Sequence, residues 1–359
     1  MNWLNSRNLL IFRPDNMGDL IMSSPAIRAL KETFGCRITV LTTPLAAEAA
    51  QLIPEIDETI KVTVPWIKAG KVLSSDEFFK LAEYLKTRNF DGCIIFTVYS
   101  QNPLPSAMLA WMAGIPKRLA YCRENPYELI NNWIPDPEPY SYILHQVERD
   151  LRLVKHIGAD TSEDKIILNI PVESCLSAED KLKQIMKDDR DYVIIHAGVS
   201  ELKRAYPTEK WIELSRTIIE SFDLPILFTG ALNEKPLADK LKQESGENSY
   251  SVAGLFDICE LAAIISKSRL MISVNTGPVH LAAGLGKPVL VLYARTNPQH
   301  KPWKTSGKVF EFSVSSKMKS KNEVIRFVND SLYRSQLPYP DVSQIIPSVQ
   351  SLLYKNVVQ

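Results

Sequence analysis

Two kinds of apolar segment alternate along the chain. Short, nearly unbroken runs come first: LLIFR at 9–13, CRITVLT at 36–42 and DGCIIFT at 91–97. A strand covered on both faces reads this way, which predicts buried strands of a parallel sheet. Between them lie longer segments with helical spacing. From Pro25 to Phe34, residues Ile27, Leu30 and Phe34 share one face, with Ser24 as N-cap and Pro25 at the first helical position. After the proline-rich stretch NNWIPDPEPY the pattern restarts with DYVIIHA at 191–197, LPILFTG at 224–230, RLMISV at 269–274 and PVLVLY at 288–293. The segment at 315–330 is charged and helix-compatible. The spacing of Val349, Leu352 and Leu353 predicts a last amphipathic helix, expected to pack back across the first domain.

This periodicity implies an α/β protein with two Rossmann-like domains, 1–170 and 171–359, facing across a cleft where strand C-termini converge on a ligand. A chain of 359 residues exceeds the roughly 250–300 at which one core stops growing, which also favours two domains. Charge changes the picture little. With 42 basic and 41 acidic residues, no global field recruits nucleic acid or an anionic membrane. The five cysteines are scattered without a C-x-x-C pair, which argues against disulfides and structural zinc and suits a reducing cytoplasm. No run of about 18 apolar residues offers a membrane span, and the N-terminal apolar run, cut by Arg13 and Pro14, is too short for a signal peptide.

Four segments at predicted strand ends carry candidate chemistry. RPDNMGDL at 13–20 follows the first strand. There Asp19 is either a general base or a helix-capping acid, and Gly18 lets a substrate approach the backbone. HAGVSELKRAYPTEKW at 196–211 places Lys203 in a polar loop, where it either meets a phosphate or is simply solvated. FTGALNEK at 228–235 offers Glu234 to ribose hydroxyls, or merely an acid in a helix's first turn. The most informative stretch, ISVNTGPVHLAAGLGKPVLVLYARTNPQHKPW at 272–303, runs strand, Asn275-Thr276-Gly277 turn, small-residue helix, strand. Thr276 and the Gly277 amide suit a diphosphate, while His280 is either a ligand contact or a core histidine. No G-x-G-x-x-G follows the first strand, no P-loop occurs, and no D-x-D or clustered His/Asp/Glu set offers a divalent-ion site.

Three motifs in order, R-x-x-x-x-GD…PAIRALK, H-x-G…K-R-x-x-P and TGP-x-HLAA…GKP…NP-x-H-x-PW, resemble glycosyltransferase family 9, the ADP-heptose:lipopolysaccharide heptosyltransferases, across nearly the whole chain. The resemblance implies a GT-B fold with the acceptor held by the first domain and the nucleotide sugar by the second. It implies inverting, metal-independent transfer of heptose from ADP-heptose to a lipopolysaccharide core, without a cofactor. It assigns Asp19 as base and Lys203 to the leaving diphosphate. Gly18, which matches the glycine of the first motif, goes to the donor together with Glu234, Asn275, Thr276, Gly277 and His280. Asn275 stands where many relatives carry aspartate, so it is assigned to a sugar hydroxyl. The acceptor being lipid-linked, the enzyme is expected at the cytoplasmic face of the inner membrane, with Trp66, Lys68, Lys71, Arg118, Tyr121 and Arg123 as acceptor contacts. A relative that moves a different sugar, or a non-catalytic nucleotide- or glycan-binding protein on the same fold, is the alternative.

Overall fold

The computed structural model describes residues 2–67, 73–186, 190–315, 318 and 320–354. The chain divides into two compact units, Met1–Asn169 and Ile170–Gln359. In the first, strands β1 (Asn8–Phe12), β2 (Arg37–Thr42), β3 (Glu58–Lys61), β4 (Gly92–Ile95), β5 (Arg118–Cys122) and β6 (Asn132–Pro135) form one parallel sheet in the order β3-β2-β1-β4-β5-β6. Helices α1 (Met17–Phe34), α2 (Pro44–Ala50), α3 (Ser75–Thr87) and α4 (Leu104–Met112) make crossovers, and α5 (Gln146–Lys155) follows the last strand. Leu9, Leu10, Ile11 and Phe12 of β1 are fully buried, as a central strand flanked on both faces requires.

The second unit repeats the plan. Its strands are β7 (Val193–His196), β8 (Ile226–Thr229), β9 (Ser249–Ser251), β10 (Leu270–Val274), β11 (Val289–Ala294) and β12 (Gly307–Phe312), in the parallel order β12-β11-β10-β7-β8-β9. Its helices are α6 (Val172–Ile185), α7 (Thr208–Phe222), α8 (Lys235–Ser245), α9 (Ile258–Lys267), α10 (Gly277–Gly284), α11 (Glu323–Leu332) and α12 (Val342–Tyr354). Both sheets have the doubly wound order in which connections change direction between the first and fourth strands. A ligand-sized crevice opens at such a switch point, beyond the strand C-termini.

Several expectations are corrected. The first helix starts at Met17, not Pro25, because Asn16 is its N-cap; Pro25 lies inside it. The Pro25 nitrogen cannot donate to the Ile21 carbonyl, and Ser24 Oγ donates to that oxygen instead at 2.8 Å. The proline-rich stretch contains the edge strand β6, where Pro135 is tolerated because an edge has a free side. Val342, Ile345, Val349, Leu352 and Leu353 of α12 lie in the second unit's own core, with Trp211, Leu214 and Ile272. Burying five such side chains is worth on the order of 10 kcal/mol before conformational entropy, enough to hold the helix there.

Candidate functional site

In the first unit the switch point lies between β1 and β4, and the loop after β1 carries Arg13 to Asn16. Asn16 is extended, with φ −78° and ψ 164°, and α1 begins at the next residue. Asp19 therefore sits inside the first turn rather than at the capping position, where the positive end of the helix dipole favours its ionised form. Gly18, grouped with the donor residues from sequence, is the residue before it in this first unit.

Asp19 belongs to a buried charge cluster. The Arg13 side chain is completely buried, with Nη1 3.2 Å from Asp15 and Nη2 3.6 Å from Asp19. Gln101, from the loop after β4, donates to Asp15 Oδ1 at 2.6 Å. A third carboxylate comes from α5: Asp150 accepts from Ser23 Oγ at 2.7 Å and from Gln146 Nε2 at 2.8 Å. Beside it Arg149 donates to the Thr97 carbonyl and to Asp136 and Glu138, and lies over the Tyr121 ring at 4.6 Å. Burial would push the Arg13 pKa down, but Asp15, Asp150 and Asp19 more than offset this and hold it above its ordinary value. Burial pushes the Asp15 carboxyl up to about 6 despite the Arg13 charge, and Asp150 likewise to about 6.

The second unit's switch point lies between β7 and β10. Ser273 Oγ donates to the His196 carbonyl at 3.0 Å, tying the two strand ends together. Around β7 and β8, His196 Nδ1 is 3.0 Å from Thr229 Oγ1 and its Nε2 is 4.0 Å from Glu234. Burial holds the His196 pKa below the ordinary value, against the pull of Glu234. Glu234 accepts from the Ala231 amide at 2.7 Å and passes across Gly198, where a Cβ would stand 2.2 Å from its carboxyl carbon. Only glycine leaves that space. Around β10, Thr276 is the extended residue before α10 and Gly277 opens the helix; Pro278 has no N–H and the Val279 amide donates to the Thr276 carbonyl at 3.2 Å, which leaves the Gly277 amide to face a ligand. His280 is 5% exposed and edge-on to His300 at 6.4 Å.

Two donor assignments change. Both Asn275 amide hydrogens are directed at the end of β11: Nδ2 donates to the Ala294 carbonyl at 3.3 Å and to Thr296 Oγ1 at 3.1 Å, while Oδ1 accepts from the Ala294 amide at 3.1 Å. At 8% exposure, Asn275 ties β10 to β11 instead of presenting its amide to a sugar. Lys203 and Arg204 both lie against Glu201, at 3.2 and 3.3 Å, and Arg204 also donates to the Asn275 carbonyl at 3.3 Å. The cation against the start of α10 is thus Arg204.

Of the acceptor candidates, Arg118 is 6% exposed and spends its guanidinium on the carbonyls of Ile115, Glu128 and Leu129. It holds the loop after β5 and is not free for an acceptor. Arg123 donates to the carbonyls of Tyr99 and Glu138 and remains half-buried. Trp66 packs edge-on against Phe78, and Tyr121 lies under Arg149. Lys68 and Lys71 lie outside the described residues. Sequence reasoning passed over Asp150, Gln146 and Arg149. Their signal was a helix whose inward stripe, 146-149-150-153-154, is polar at three of five positions where a core-facing helix should be apolar. Among the described residues no group of three or more His, Cys, Asp or Glu could hold a metal ion, and no helix is long and apolar enough to cross a membrane.

Residues 78–327 match the family model of glycosyltransferase family 9 (heptosyltransferase). The chain is similar to lipooligosaccharide heptosyltransferase 2 of Haemophilus influenzae, 24% identical over 310 residues, covering 82% of this chain and 85% of the relative. Among solved structures it resembles a family 9 glycosyltransferase of Veillonella parvula, with a TM-score of 0.80, 18% identity and 98% of each chain covered. It also resembles the ADP-heptose lipopolysaccharide heptosyltransferase II of Escherichia coli, with a TM-score of 0.74, 17% identity and coverage of 98% of this chain and 100% of that one. The fold class is accordingly GT-B, built from two Rossmann-like units.

Proposed function

The chain belongs to glycosyltransferase family 9, and from that premise we propose that it transfers a heptose from ADP-heptose to a lipopolysaccharide core acceptor, with inversion and without a metal. The observation that carries the reading is the family match over 78–327, which contains every donor-side residue from His196 to His280. Asp19 lies outside that span, so its role rests on its own geometry: a carboxylate in the first turn after β1, at the switch point of its sheet.

Asp19 takes the proton of an acceptor hydroxyl as that oxygen attacks the anomeric carbon, and the nucleoside diphosphate leaves from the opposite face. A base of this kind supplies about 10²–10⁴-fold. The charge that develops on the leaving diphosphate is met by Arg204, Lys203 and the Gly277 amide at the start of α10, groups fixed before the reaction begins. Glu234, held by the Ala231 amide, is placed for a ribose hydroxyl. The acceptor is lipid-linked, and the enzyme works at the cytoplasmic face of the inner membrane through peripheral contact.

Thermal shift with ADP, UDP, GDP and NAD tests the donor reading, because a ligand that binds only the folded state raises Tm. Selective stabilisation by ADP in the presence of EDTA is expected. Stabilisation by NAD or UDP alone, or ADP binding that requires magnesium, would overturn it.

A further inference from the structure

Resting on the reading of Asp19 as base, we propose that Arg13 and Asp15 are positioning residues of the transfer: ionised Asp15 shields Asp19 from the Arg13 guanidinium and so keeps it basic enough to take the acceptor's proton. The geometry is that of one buried cation between two carboxylates, 3.2 Å from Asp15 and 3.6 Å from Asp19. None of the three guanidinium nitrogens of Arg13 makes a hydrogen bond, so its charge is balanced through space. An opposite charge at such a distance moves a carboxyl pKa by about 1–3. How much of that falls on Asp19 depends on whether Asp15 carries its own charge.

The charged and titratable groups around the pair are few. From β1 and its loop come Arg13 and Asp15; from α1, Asp19; from α5, Asp150 and, behind it, Arg149, which opposes Arg13. The loop after β4 contributes Gln101, whose amide donates to Asp15. With all three carboxylates ionised, the negative charge around Arg13 exceeds its single positive charge, and a buried excess of this kind is relieved by taking up a proton. The Asp15 carboxyl, raised by burial to about 6, is one place for it, and Asp150 the other. When Asp15 is protonated, the Arg13 charge is shared by Asp150 and Asp19 alone, and Asp19 becomes a weaker base. Turnover should therefore lose activity on the acid side as Asp15 protonates.

The test is kcat/KM for a lipopolysaccharide core acceptor against pH, which reports ionisations of the free enzyme, in wild type, Asp15→Asn and Gln101→Leu. Gln101 touches Asp15 and not Asp150, so its variant separates the two carboxyls. In wild type an acid limb near pH 6 is expected. Gln101→Leu removes a hydrogen bond to the ionised form and should move that limb up by about half to one pH. Asp15→Asn should abolish the limb near pH 6 and lower the plateau roughly tenfold with the donor KM unchanged. If both variants lower the profile equally at every pH and leave the limb in place, the inference is overturned. Should Asp15→Asn fail to fold, Gln101→Leu decides alone, since its side chain is only part-buried. Asp19→Asn separates the inference from its premise: an inactive Asp19→Asn with an unmoved limb removes only the inference, whereas an active one removes both.

Discussion

Asn275→Asp separates a structural from a sugar-binding role at the end of β10. The substitution keeps the bond accepted from the Ala294 amide and loses both donated ones, to the Ala294 carbonyl and to Thr296 Oγ1. The Thr296 hydroxyl can rotate and donate to the new carboxylate, so that contact is recovered. The Ala294 carbonyl cannot, and a carboxylate oxygen then faces it at 8% exposure. One lost bond with a buried acceptor left facing a like charge costs about 1–3 kcal/mol. For a unit of this size that lowers Tm by about 2–10 °C. The sign of the pH dependence follows from which form fits. Protonated aspartate can donate to the carbonyl and ionised aspartate cannot, so the folded-state pKa is raised and the deficit shrinks as pH falls through it. Scanning fluorimetry at several pH values, with kcat/KM for a panel of ADP-sugars, reads both quantities. Unchanged Tm with a tenfold change in donor ratios would refute the reasoning and return Asn275 to the sugar.

Gly198→Ala puts a Cβ 2.2 Å from the Glu234 carboxyl carbon. The side chain can swing away, so Tm should barely move while ADP affinity measured by calorimetry falls about tenfold, the worth of one charge-assisted hydrogen bond. Arg204→Ala should raise the donor KM and lower kcat more than Lys203→Ala does, because Arg204, besides sharing Glu201 with Lys203, donates to the Asn275 carbonyl beside α10; the reverse order in steady-state kinetics would restore Lys203. Hydrogen bonds from Arg88 and Arg37 hold the Glu58 carboxyl down at about 2. Its stabilisation is complete above the ordinary value of 4.5 and is lost as pH falls towards 2. The difference in denaturant midpoint between wild type and Glu58→Gln should therefore vanish across that window.

How much could be read from sequence depended on burial. The central strands β1, β2, β4, β7, β8, β10 and β11 are apolar because both their faces are covered, and their runs stand out. The edge strands β3, β6, β9 and β12 carry exposed or polar positions and sit beside loops with the same composition, so no run marks them. Asp19 could be picked out as a candidate because it lies in one short segment after β1, with Arg13 and Asp15 close to it in sequence and in space. The rest of its supporting cluster could not: Ser23 and Asp150 touch across 127 positions of sequence, and Gln101 reaches Asp15 across 86. Asn275 shows the converse limit, since residue type allowed a sugar contact and only the β11 backbone revealed where its amide points.

The most direct measurement is the product of ADP-heptose and a lipopolysaccharide core acceptor, analysed by mass and by anomeric configuration in the presence of EDTA, for wild type and Asp19→Asn. The account predicts an acceptor heavier by one heptose with the inverted linkage. It predicts that Asp19→Asn binds ADP as wild type does yet turns over about 10²–10⁴-fold more slowly. A wild-type rate from Asp19→Asn, or transfer only from a donor other than ADP-heptose, would contradict it.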